Sequence, residues 1–128
     1  MKIHGKPLIG PGGAVLPLSA AVETDGLVFV SGQLALVDGQ VEGDITAQTE
    51  RTFDAISSIL ENADMGLDNV IKATVWLTDS SDFAAFNTVY AKRLPSPFPA
   101  RSCVISQLVL PNARVEIEVV ASRQPRRN

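Results

Sequence analysis

Three side chains in the last third of the sequence are of types that could act together on a small carboxylic acid: Arg101, Cys103 and Glu116. Arg101 and Cys103 lie in the run Pro99-Ala100-Arg101-Ser102-Cys103-Val104. As a strand, that run puts both on one face, because side chains alternate with a period of two. A guanidinium presents a planar fork of donors that matches a carboxylate in two bonds. Glu116 lies beyond a Pro111-Asn112 turn, where antiparallel pairing, or a neighbouring subunit, could bring it to Arg101. A carboxylate beside a cationic anchor can orient a water or carry a proton. Taken singly the three are ordinary. A lone strand Arg is most often a surface or ion-pair group, a lone Cys is a small buried hydrophobe, and periodicity does not separate Glu116 from Glu118.

The rest of the composition removes competing chemistries. The chain has one Cys and one His, so neither an internal disulfide nor a His/Cys zinc site is expected. Gly10-Pro11-Gly12-Gly13 is not a phosphate loop, since no Gly-Lys-Ser/Thr follows it. A net charge of -3 and a pI near 5.0 speak against nucleic-acid binding by broad electrostatics. No apolar stretch approaches the roughly 18 residues of a membrane span. No signal-type apolar run follows Met1-Lys2-Ile3-His4-Gly5-Lys6-Pro7, and the default expectation is a cytoplasmic protein.

The elements that must position these residues are legible from pattern. The 128 residues are the size of one domain, and 45% hydrophobic residues can supply its core. Residues 1–16 read as an irregular lead-in. Strands are expected at 21–23 and 27–31 around Asp25-Gly26, broken at Gly32, and resumed over 34–37 before Asp38-Gly39. From Asp44 the apolar positions Ala47, Phe53, Ile56, Ile59, Leu60 and Ala63 mark a helix face that stops near Gly66. Residues 70–77 (VIKATVWL) read as a strand. Asp79-Ser80-Ser81-Asp82 supplies caps for a helix with Phe83, Phe86, Val89, Tyr90 and Leu94 on its apolar face, ended by Pro95, Pro97 and Pro99. Strands over 100–110 and 115–121 follow, then a basic, frayed tail over 122–128. The order β-β-(β)-α-β-α-β-β gives a two-layer α+β domain with a mixed sheet and both helices on one face. Glu116, Glu118 and Val120 then face away from Val115, Ile117 and Val119, leaving an open face that self-association can cover.

Four blocks resemble the RidA family (also called YjgF/YER057c/UK114): Leu27-Val28-Phe29-Val30-Ser31-Gly32-Gln33, Phe86-Asn87-Thr88-Val89-Tyr90, Pro99-Ala100-Arg101-Ser102-Cys103-Val104 and Val115-Glu116-Ile117-Glu118. They span residues 17–121 in family order. The resemblance implies a chorismate-mutase-like fold and a homotrimer whose sheets form a central barrel, with inter-subunit clefts lined by two chains. It implies hydrolysis, without cofactor or metal, of enamines and imines such as 2-aminoacrylate, 2-iminopropanoate or 2-iminobutanoate to 2-keto acids and ammonia. Within it, Arg101 matches the arginine that grips the substrate carboxylate. Cys103 matches a residue lining the cleft and helping to place water, and Glu116 matches the glutamate that activates or orients water. Ser31 and Gly32 match a loop bordering the cleft, and Asn87 a polar residue on the second helix. Pro17-Leu18-Ser19-Ala20 departs from the family, where an aromatic, usually Tyr, follows the proline. Leu18 can pack against a substrate but cannot hydrogen-bond to it, which leaves open a different acid such as 2-aminomuconate, or a trimer that binds a small carboxylate without turnover. Ribonuclease or translation-inhibitor action, attached to some relatives, has support only from Arg123, Arg126 and Arg127 in the tail.

Overall fold

The computed structural model describes residues 1–127. In chain order the elements are β1 (Lys2–His4), β2 (Ala21–Thr24), β3 (Leu27–Gln33), β4 (Leu36–Val37), β5 (Gln40–Val41), α1 (Ile45–Glu61), β6 (Val70–Leu77), α2 (Phe83–Arg93), β7 (Ala100–Ile105) and β8 (Val115–Ser122). Six strands form one sheet in the order β1-β2-β3-β8-β6-β7, while β4 and β5 make a separate ribbon. All pairs are antiparallel except β6 with β7. Parallel neighbours need a crossover, and α2 supplies it. The expected mixed α+β fold with two helices is what forms.

Local chemistry accounts for most of the elements. Asp25-Gly26 and Asp38-Gly39 both take positive φ at both residues, 53° and 77° in the first and 51° and 77° in the second. That is the turn whose twist matches paired strands. Asp44 caps α1 by accepting from the Ala47 amide at 2.9 Å. Phe53, Ile56 and Leu60 of α1 and Phe86 and Val89 of α2 are buried against Val28, Val30, Ala73, Val75, Val115, Ile117 and Val119 of the sheet. Gln48, itself buried, joins the start of α1 to the turn before β8: its amide donates to Asn112 O at 3.0 Å and its carbonyl accepts from the Arg114 amide at 2.8 Å. The odd-numbered residues of β8 face the helices and are buried, and Glu116, Glu118 and Val120 face the other way.

The structure departs from the sequence expectations in five places. The lead-in is not wholly irregular, because Lys2–His4 pairs with Glu23–Ala21 as an edge strand. α1 ends at Glu61, and the left-handed residue after it is Asp64 (φ 56°); Gly66, the expected stop, is extended and opens a short 3-10 turn over Leu67–Asn69. The strand expected over 100–110 stops at Ile105, since Leu108 and Leu110 turn aside to pack with Ala35, Val41 and Ala113. β7 does not pair with β8; it lies parallel to β6 at the sheet edge. The tail is docked: Arg123 grips Glu23 through two bonds of 2.9 and 2.6 Å, and Arg126 bonds to four backbone carbonyls.

Candidate functional site

Arg101 and Cys103 share the helix-covered face of β7, as the period of two requires, opposite Ala73 and Val75 of β6. The Arg101 guanidinium lies over α2. Nη1 donates to Asn87 Oδ1 at 2.8 Å, and Cζ sits 4.7 Å from the Tyr90 ring centroid, with the Phe86 and Phe83 rings at 5.6 and 5.7 Å. Aromatic faces attract a cation by roughly 0.5–2 kcal/mol, so the group is held in place with its remaining donors unused. Among the described residues no carboxylate forms an ion pair with it. It opens on a cavity of about 380 Å³ lined by Asn87, Tyr90, Ala91, Phe98, Pro99 and Arg101. Cys103 is half-buried against the core, and burial pushes its thiol up while Arg101 pulls it back. It is therefore a thiol at neutral pH and a wall, since the thiolate is the nucleophilic form.

Glu116 belongs to a second cluster. Its partner across the sheet is Trp76, three residues from the Ala73 that faces Arg101, so Glu116 and Arg101 project from opposite faces of the sheet. The antiparallel route to bringing them together within one chain is closed, because β6 lies between β7 and β8. Glu116 instead lies across Gly32. A Cβ there would fall 2.1 Å from Glu116 Oε2. Ser31 and Gly32 are the bulge of β3, where the register passes from Val30↔Val119 to Gln33↔Ile117 with one extra residue on β3. Ser31 Oγ donates to Ser19 O at 2.6 Å, and the Ser31 amide to Ala20 O at 2.9 Å, which ties the Leu18 segment to the bulge. Leu18 is exposed. Burial, and then the neighbouring Glu118, push the Glu116 carboxyl above its ordinary value. It has no ion-pair partner among the described residues.

The chain thus gathers its candidate residues into two half-sites, Arg101 with Asn87 and Cys103 on one face, and Glu116 with Gly32, Ser31 and Leu18 on the other. The aromatic platform under Arg101 and the Phe98 wall are not evident from residue types alone. Their signal was the stripe Phe83, Phe86, Tyr90 on the same helix as Asn87, which reads equally as core. Among the described residues no group of three or more His, Cys, Asp or Glu side chains could hold a metal ion.

A mixed α+β fold whose Arg101 guanidinium, without an ion-pair partner among the described residues, faces a small open cavity is of a class suited to binding small anionic molecules. Comparison with known proteins sharpens this. A family model described as Endoribonuclease L-PSP matches residues 12–123. Protein mmf2, mitochondrial, of Schizosaccharomyces pombe is 40% identical over 110 residues, covering 83% of this chain and 87% of that protein. The crystal structure of RidA from an Antarctic Psychrobacter superposes with a TM-score of 0.84 at 33% identity, covering 95% of this chain and 99% of that one. Escherichia coli TdcF, crystallised with bound serine, gives 0.83 at 29% identity, covering 97% and 100%. The chain belongs to the RidA/YjgF (endoribonuclease L-PSP) family, and membership supports a small-molecule-binding or deaminase role.

The expectation of a cytoplasmic location is corrected by the same comparisons. Mmf2 and the mmf1 proteins of S. pombe and Saccharomyces cerevisiae, 36% and 39% identical, are mitochondrial by name. The missing signal-type apolar run bears on secretion alone, because organelle-targeting segments are amphipathic and Arg-rich instead.

Proposed function

We propose that the protein hydrolyses reactive 2-imino acids and their enamine tautomers, of the 2-aminoacrylate or 2-iminobutanoate type, in clefts between the subunits of a homotrimer. Water adds to the imine carbon, the C–N bond breaks, and a 2-keto acid and ammonia leave. Arg101 holds the substrate carboxylate with the donors that Asn87 leaves free, which fixes the imine carbon for attack. Glu116 of the partner subunit orients the water and relays its proton. The observation that carries this reading is the complementary incompleteness of the two half-sites. Among the described residues Arg101 has no paired anion, and Glu116, on the opposite face, has no paired cation while burial, and then Glu118, raise its carboxyl above the ordinary value. Apposing two chains would supply each with the other, and a neighbouring guanidinium favours the ionised carboxylate that a base needs. Phe29 and Val104, 45% and 46% exposed on the open face, gain cover in the same step. A net charge of -3 disfavours RNA as the ligand.

A second reading is a trimer that binds a small carboxylic acid without turnover. Leu18 in place of an aromatic, and the serine bound to TdcF, favour it. A third keeps the chemistry and changes the acid, to one such as 2-aminomuconate.

Subunit mixing tests the proposal. Arg101→Ala and Glu116→Gln should each lose acceleration of 2-iminobutanoate decay, generated by a coupled threonine dehydratase. Two charge-assisted bonds of roughly 1.5–3 kcal/mol each are lost in the first. Chains mixed and allowed to exchange should recover about one quarter of the parental rate, because each cleft draws two halves independently from two equal populations. Arg101→Ala as fast as the parent would sink the reading. Binding of 2-oxobutanoate by the parent with no turnover would select the second one.

A further inference from the structure

We infer that Arg126 is a positioning residue that fixes the outer wall of the Arg101 cavity. The family match ends at residue 123, before Arg126. Its guanidinium gathers four main-chain carbonyls. Nε donates to Pro97 O at 2.5 Å, Nη2 to Pro95 O at 2.8 Å, and Nη1 to Leu67 O at 2.9 Å and to Val70 O. Its own amide donates to Asp68 O at 2.9 Å. Leu67 opens the 3-10 turn and packs against the core, and Val70 is the first residue of β6. Pro95 and Pro97 belong to the loop between α2 and β7, whose next two residues, Phe98 and Pro99, line the cavity beside Arg101. Prolines at 95, 97 and 99 leave this loop short of N–H donors, so its carbonyls must be satisfied from elsewhere. One planar group with five donors reaches both the loop and the sheet, which a lysine ammonium cannot do. Arg126 thereby staples the wall to the strand that carries the anchor's own neighbour, Ala73. Tyr90 lies between the two arginines. Its ring carries Arg101, and its buried hydroxyl has no hydrogen-bond partner among the described residues; burial pushes it up, and the charges of Arg101 and Arg126 pull it back.

The consequence for turnover rests on the deaminase reading above; the positioning itself does not. The test therefore has two readouts. The first is the order parameter of the Phe98 backbone amide from 15N relaxation, in the parent, Arg126→Ala and Arg126→Lys. The parent should show about 0.85, and Arg126→Ala should fall below about 0.6. The second is the split between KM and kcat for 2-iminobutanoate. A wall displaced by about 1 Å costs on the order of 10- to 100-fold, and here it should appear as a raised KM with kcat little changed. Lysine should not rescue either readout. Phe98 as rigid in Arg126→Ala as in the parent overturns the inference. So does a fall in kcat at constant KM, which marks a mere loss of folded protein. A parent without turnover, combined with a loosened Phe98 in the variant, ends the deaminase reading and leaves the positioning intact; the Kd for 2-oxobutanoate must then rise in place of KM. Should Arg126→Ala fail to fold, Phe98→Ala removes the wall directly, and an unchanged KM there overturns the inference.

Discussion

The contact between Gly32 and Glu116 makes a sharp test, because a single methyl group acts on the carboxylate without touching the fold. An alanine Cβ at position 32 would stand 2.1 Å from Glu116 Oε2, and an ordinary contact begins at 3.4 Å, so the oxygen must retreat by about 1.3 Å. The offending atom is the far end of a flexible side chain, and Gly32 does not occupy the left-handed region, so the backbone tolerates the change. Replacing a glycine at a compatible position typically gains about 0.4–1 kcal/mol through the unfolded chain. The melting temperature should therefore stay within about 3 °C of the parent. On the deaminase reading, the loss falls on catalysis. A displacement of about 1 Å in a group that positions a reactant costs on the order of 10²-fold, about 2.7 kcal/mol at 1.36 kcal/mol per tenfold. The assay is decay of 2-iminobutanoate in the coupled dehydratase system, with Gly32→Ala, Glu116→Gln and the double variant side by side. If Gly32→Ala acts through the carboxylate, the double variant is no slower than Glu116→Gln alone, since coupled residues are not additive. Parental turnover in Gly32→Ala, or full additivity in the double variant, would refute the assignment of water positioning to Glu116.

Two further predictions concern stability. Arg123 chiefly, with His4 beside it, holds the Glu23 carboxyl down to about 2 from 4.5. A lowered folded value stabilises above the unfolded one, so this contribution is whole above about pH 4.5 and drains away as pH falls toward about 2. Denaturant titrations from pH 6 to 2 should show that loss in the parent and a flatter profile in Glu23→Gln. Asp82 is buried and bonds twice to Arg114, at 3.0 and 2.5 Å. Arg114→Met strands that carboxylate and should cost about 1–3 kcal/mol in urea unfolding, much of it recovered by adding Asp82→Asn.

What could be read from residue order was whatever a local period or turn dictates. The two Asp-Gly turns, the buried stripe Phe53-Ile56-Leu60 and the alternation of Val115, Ile117 and Val119 all follow from neighbours a few positions apart. The partner of β7 does not. Its Arg101 and Cys103 alternate in the same way whether β8 or β6 lies alongside, and only the tertiary arrangement chooses β6. That choice set Glu116 on the far face and removed the intrachain route to Arg101. The docked tail was missed for a similar reason. Arg126 reads as a solvated charge because its partners are carbonyls, which every residue carries and none advertises. Asp64 ended α1 in place of Gly66 because an aspartate also tolerates the left-handed conformation there.

The bracing of the anchor and the bracing of the wall are of different kinds. Arg101 and Glu116 each stand on a strand of the central sheet, held in place by its register, whereas Leu18 and Phe98 stand on connecting segments held by a few hydrogen bonds each. Substitutions in those segments can therefore reshape what fits beside Arg101 without disturbing its guanidinium, as loops on a rigid scaffold generally allow. On the deaminase reading, such a molecule can change diet while keeping its teeth: residues 16–20 and 95–99 would set which acids enter, and the hydrolytic step proposed for Arg101 and Glu116 would stay the same.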